Sequence, residues 1–117
     1  KRFLKLNVSG AFHSPFMNEP SSKFSEYLRQ IKFNNPSFPV ISNYDPSLCS
    51  DPNELKVRLE KQMCNGVRWR ETMDLMAKDS DLNIVEIGPS NVLSGLGKRH
   101  LKDVKISQVS SSDQISY

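Results

Sequence analysis

Leu82-Asn83-Ile84-Val85-Glu86-Ile87-Gly88-Pro89-Ser90-Asn91-Val92-Leu93-Ser94-Gly95-Leu96 decides the fold class. Leu82–Ile87 is a compact apolar run of strand length, Gly88-Pro89 turns the chain, and Val92–Leu101 reads as a helix despite Gly95 and Gly97. Val104–Val109 reads as a last strand. Toward the N-terminus the alternation repeats. Trp69, Met73 and Met76 have amphipathic-helix spacing. Asp51-Pro52-Asn53-Glu54 opens a further helix, with Asp to cap free amides, Pro in the first turn and Glu placed to reach back. Leu55, Leu59 and Met63 mark one face of it, with Gln62 beside them, and Asn65-Gly66 ends it. Phe38-Pro39-Val40-Ile41 predicts a short buried strand, and Asn43-Tyr44-Asp45-Pro46 has the residues of a turn. Phe24, Tyr27, Leu28 and Ile31 predict a helix from Ser21 onward. Leu4, Leu6 and Val8 alternate with Lys5 and Asn7, the period of a half-buried strand. Helices alternating with short buried strands predict the α/β class.

A chain of 117 residues has room for one small core, and a hydrophobic content of 37% suits a piece that packs on another piece. The formal charge of +3 is mild. Lys1, Arg2 and Lys5 open the chain, and Lys98, Arg99, His100 and Lys102 cluster near its end. Such clusters read first as solvated faces, and alternatively as a contact for an acidic partner. The sequence contains no apolar run of about 18 residues, so no membrane helix is expected. Cys49 and Cys64 have no metal-ligand spacing and are expected to be free thiols in a reducing compartment. Two cysteines and two scattered histidines are a poor ligand set for zinc.

The chemistry centres on Gly10-Ala11-Phe12-His13-Ser14-Pro15-Phe16-Met17. His13 stands between a strand and a helix, and Pro15 keeps the residue before it extended. A base held there can take the proton of a serine hydroxyl and return one to a leaving thiol. Gln62 sits on the apolar side of a helix near that helix's end. The last carbonyls there lack intrahelical partners, and one of them can accept the second N–H of a histidine and fix its tautomer. Two other stretches only imitate functional motifs. Gly88-Pro89-Ser90-Asn91-Val92 has valine where a nucleophile elbow needs its second glycine. Gly95-Leu96-Gly97-Lys98-Arg99 lacks both the upstream glycine and the Ser or Thr of a P-loop. His100 reads as a surface residue.

Four stretches together resemble the malonyl-CoA:acyl-carrier-protein transacylases. They are the octet around His13; Ile31-Lys32-Phe33-Asn34-Asn35-Pro36 with Pro39-Val40 and Asn43; Gln62-Met63-Cys64-Asn65-Gly66-Val67-Arg68-Trp69; and Glu86-Ile87-Gly88-Pro89 followed by Val92-Leu93 and Gly95-Leu96. One departure is Gly66, where the family has proline. The resemblance implies that His13 is the general base and that Gln62 holds it through its main-chain carbonyl. It also implies that Phe12 favours malonyl over methylmalonyl groups and that Val92 lies near the acyl pocket. The family's nucleophilic serine, its carboxylate-binding arginine and its oxyanion-hole glutamine would all precede Lys1, making this the C-terminal segment of the enzyme. The implied fold is an α/β-hydrolase-like acyltransferase subdomain with a ferredoxin-like small subdomain inserted. Lys1–Val8 would be the last strand of the small part and residues 9–117 would return to the large one.

The implied reaction is ping-pong malonyl transfer from coenzyme A to the thiol of acyl carrier protein, with no metal and no cofactor. Lys1 and Arg2 are expected to touch the acidic carrier. The other expected partners are malonyl-CoA and the upstream part of the same enzyme, with no nucleic acid and no membrane. Bacterial cytoplasm and a plastid or mitochondrial matrix both suit. The alternatives are an acyltransferase domain of a multienzyme polyketide or fatty acid synthase, and a non-catalytic α/β interaction module with a basic face.

Overall fold

The computed structural model describes residues 10–115. The strand expected over Leu4, Leu6 and Val8 lies outside the described residues, as do Lys1 and Arg2. The chain falls into two compact units, Lys1–Arg68 and Trp69–Tyr117.

In the first unit a 3-10 turn over Pro15–Met17 leads into helix α1, Asn18–Gln30. The helix starts three residues ahead of the expected Ser21. Its apolar stripe is narrower than the spacing suggests: Leu28 is 3% exposed, whereas Tyr27 and Ile31 are 67% and 51% exposed. α1 packs against helix α2, Pro52–Gln62. Between them in sequence comes a hairpin of β1, Val40–Ile41, and β2, Leu48–Cys49, paired antiparallel as Val40↔Cys49 and Ile41↔Leu48. The strand expected over Phe38–Ile41 is thus two residues long and half-buried, and Phe38 faces solvent.

α2 begins as its sequence dictates, with the Asp51 carboxylate accepting the Glu54 N–H at 2.7 Å. Glu54 does not reach back to complete a capping box. Its carboxylate takes the Arg58 Nε–H at 3.0 Å instead. Arg58 is the buried residue of α2, while Leu55, Leu59 and Met63 are only partly covered. Its guanidinium also donates to the Ser47 carbonyl at 2.8 Å and to Ser47 Oγ at 3.0 Å, and pairs with Asp45 at 3.3 Å. A single cation therefore fastens the hairpin loop to the helix.

The second unit runs α3 (Trp69–Met76), β3 (Asn83–Ile87), α4 (Val92–His100), β4 (Lys105–Val109) and a 3-10 turn over Ser112–Gln114. β3 and β4 pair in parallel, from Asn83↔Lys105 to Ile87↔Val109, so α4 is the crossover that parallel neighbours require. Gly97 permits the close approach of α4 to the sheet, since a Cβ there would stand 3.0 Å from Ile106 Cδ1. Met73 and Leu101 form this unit's small core, as Leu28 and Cys49 do for the first.

Candidate active site

The site in the first unit is built from the end of α2 and the loop that follows it. A helix C-terminus leaves carbonyls without intrahelical donors. Here the Asn65 side-chain amide donates to the Lys61 carbonyl at 2.7 Å, and the Cys64 N–H reaches the same oxygen at 3.3 Å. The Gln62 and Asn65 carbonyls remain and converge on one imidazole. His13 Nδ1 lies 2.9 Å from Gln62 O and 3.1 Å from Asn65 O, and the His13 main-chain N–H donates to Met63 O at 2.9 Å.

Carbonyl oxygens only accept hydrogen bonds, so the Nδ1 atom carries the proton in the neutral ring and Nε2 keeps its lone pair. His13 is exposed and its backbone is left-handed, with φ of 63°. An ordinary side chain adopts that conformation only at an energetic cost, and here the three loop carbonyls hold it. Ser14 is extended before Pro15, as a residue preceding proline should be, and its hydroxyl donates to the Ala11 carbonyl at 2.6 Å. Phe12, 60% exposed, folds its ring to within 3.0 Å of where a Gly10 Cβ would stand, which explains the glycine that opens the octet.

Of the residues singled out from sequence, Phe12, His13 and Gln62 lie in this unit, and the structure joins His13 to the main chain of Gln62. The Gln62 side chain is half-buried and lines an open groove of 360 Å³ with Phe33, Val40 and Leu59. Val92 lies in the second unit as the exposed first residue of α4. Its setting depends on Glu86 and Gln108, whose bonds to this turn and helix start the sequence does not announce. Asn91, at the N-cap position, makes no side-chain cap. Instead the Glu86 carboxylate reaches across from β3 to accept the Leu93 and Ser94 amides at 3.2 and 2.8 Å. Gln108 donates from β4 to the Gly88 and Ser90 carbonyls at 2.8 and 2.9 Å, clamping the turn before the helix.

Glu86 is held below the ordinary carboxylate value, first by the Ser94 hydroxyl beside it and then by the two amides, against a desolvation that works the other way. Ser94 Oγ itself falls outside hydrogen-bond geometry. A carboxylate in an apolar strand six residues before a helix was the available signal for this cap. His100 is more than a bare surface residue, since its Nε2 lies 2.7 Å from Asp74 and ties α4 to α3. Cys49 and Cys64 are free thiols. Among the described residues no group of three His, Cys, Asp or Glu side chains is placed to hold a metal, and no helix is long and apolar enough to cross a membrane.

The Synechocystis malonyl CoA-acyl carrier protein transacylase is 40% identical over 116 residues, which is 99% of this chain and 40% of that protein. Its crystal structure superposes with a TM-score of 0.86 at 42% identity, over 92% of this chain and 37% of that one. The chain belongs to the malonyl-CoA:acyl-carrier-protein transacylase family. An acyl carrier protein S-malonyltransferase from Vibrio cholerae gives a TM-score of 0.88 at 34% identity, covering 97% of this chain and 37% of that transferase. A type II PKS malonyl-transacylase solved in complex with its acyl-carrier protein gives 0.84 at 31% identity, covering 92% and 35%. The chain thus spans about two fifths of the length of the transacylases it matches. No protein-family model matches it. Its mixed α/β elements correspond to part of the transacylase fold.

Proposed function

We propose that this chain supplies the general base of a malonyl-CoA:acyl-carrier-protein S-malonyltransferase. The observation that carries the reading is the His13 tautomer: two main-chain carbonyls hold the Nδ1 proton, which leaves Nε2 free to act. The nucleophile would be a serine outside these 117 residues, which contain no Gly-x-Ser-x-Gly turn. His13 Nε2 takes the serine proton as Oγ attacks the thioester carbonyl of malonyl-CoA. The C–S bond then breaks, and the leaving thiolate takes the proton from the imidazolium, leaving a malonyl-serine ester. In the second half the carrier thiol loses its proton to Nε2 and attacks that ester, and the serine recovers its proton as it departs. Gln62 takes part through its carbonyl rather than its amide. Phe12 beside the base would select malonyl groups, and Val92 would line the acyl pocket.

Residues 9–117 would belong to the α/β-hydrolase-like part of the enzyme and Lys1–Val8 to the ferredoxin-like part. Lys1 and Arg2 would meet the acidic carrier. The solved complex of a related transacylase with its carrier supports that kind of partner, from fatty acid or polyketide synthesis. The two free thiols suit a reducing compartment.

The test is to mix malonyl-CoA with the transacylase that carries this chain together with its serine-bearing part, and to measure the intact mass. A malonyl adduct is expected, and His13→Ala should abolish its rapid formation. An adduct forming equally fast without the imidazole would overturn the assignment. Carrier binding that survives with no adduct at all would favour an interaction module.

A further inference from the structure

We propose that Asn65 is a positioning residue for His13, acting through the tie between its side-chain amide and the end of α2. The inference rests on the reading of His13 as the base and adds a residue to that machinery. The geometric problem lies in the loop. The Gln62 carbonyl points off the end of α2, and the Asn65 carbonyl, three residues later, must return to the same imidazole N–H. The chain can do this only by reversing within Met63-Cys64-Asn65. The Asn65 amide closes that reversal with its 2.7 Å bond to Lys61 O, the carbonyl one residue before Gln62. Both the Cys64 N–H and the Asn65 amide therefore converge on Lys61. The Gln62, Met63 and Asn65 carbonyls are in turn left for the two N–H groups of His13.

Gly66 follows at once, with nothing within 4 Å of where its Cβ would stand, so no packing on that side shapes the loop. The amide of Asn65 does what a rigid following residue would otherwise do. Without it the two carbonyls lose their common aim, and the exposed imidazole is freed to put its proton on Nε2, the form with no lone pair on that nitrogen to take the serine proton.

The experiment reads the tautomer directly, by ¹⁵N-resolved NMR of the histidine rings in the transacylase that carries this chain. The variants are Asn65→Ala, Asn65→Asp and Asn65→Ser. His100 is the internal reference, because its Nε2 faces Asp74 and its state should not change. The wild type should show His13 with its proton on Nδ1. Ala removes the donor and an ionised Asp can only accept, so both should move the population toward Nε2–H. A serine hydroxyl can donate to the carbonyl four residues back and should keep the wild-type signature. In the transacylase that carries this chain, Ala and Asp should slow acylation about tenfold, short of the ~10²-fold or more expected for losing the base itself. The KM for malonyl-CoA should stay within about twofold and Ser should restore the rate. A wild-type His13 tautomer in both Asn65→Ala and Asn65→Asp would overturn the role of Asn65, whatever the rates. A tautomer that shifts while acylation is unchanged would leave Asn65 as the positioning residue and remove His13 as the base.

Discussion

An imidazole serves as a base only through a nitrogen that holds no proton, and at His13 the choice of nitrogen is made by main-chain oxygens that every residue possesses. This separates the two residues that the sequence singles out. His13→Ala should lower the acylation rate by at least about 10²-fold, the low end for a lost general base. Gln62→Ala keeps the carbonyl and should keep most activity, whereas Gln62→Pro breaks the helix turn that aims it, at about 3 kcal/mol or more. Single-turnover acylation rates on the three variants, with thermal melts alongside, check this. A Gln62→Ala enzyme as slow as His13→Ala but fully folded would transfer the role to the amide. His13 and Gln62 are legible in sequence because a proline-bordered histidine and a helix end are local patterns. Asn65 and Arg58 are not, because their partners, Lys61 O and the Ser47–Asp45 loop, become neighbours only when the chain turns.

The elements of this chain are fastened at their ends more than along their faces. α4 takes its cap from β3, and the linkage has a definite sign. Glu86 has a folded-state value below its ordinary 4.5, so it contributes stability above that value and loses it as pH falls through the lower, folded one. The stability difference between wild type and Glu86→Gln should therefore shrink on acidification from neutral pH to below 4.5. Denaturant midpoints at several pH values measure it, and a difference that grows in acid would refute the cap. α2 holds the β1–β2 hairpin through Arg58, whose side chain is 8% exposed while Asp45 and Glu54 are 36% and 48% exposed. Arg58→Ala should cost about 2–3 kcal/mol, less than the 3–5 of a fully buried pair because both carboxylates can turn to water. Gly66 has open space at its Cβ and no left-handed φ, so Gly66→Ala should stabilise the folded chain by about 0.4–1 kcal/mol, read as a rise in denaturant midpoint at constant slope.

For the chain as a whole, the alternation of helix and strand is readable from periodicity, and among the described residues seven of the eight α-helices and strands fall within three residues of where spacing puts them. Strand pairing is not readable in this way, because an apolar run states that a strand is covered without stating by what. β2 is missed for that reason, with Leu48 exposed and Cys49 buried giving too short a pattern to notice. The same gap explains the surface. Parallel strands are normally covered on both faces, yet β3 leaves Val85 53% and Ile87 82% exposed on one side of a two-stranded sheet. In the first unit Phe16 and Phe38 are 87% and 72% exposed. Apolar surface of this kind on a small fold drives association. The 117-residue chain on its own should therefore self-associate and, on the proposal that His13 is the base for a serine outside it, show no malonyl turnover. Sedimentation velocity over a hundredfold range of concentration tests the first point, and Ile87→Lys should shift the distribution toward monomer by placing a charge on the exposed face of β3. A wild-type chain that stays monomeric over that range would mean that this apolar face is tolerated in water.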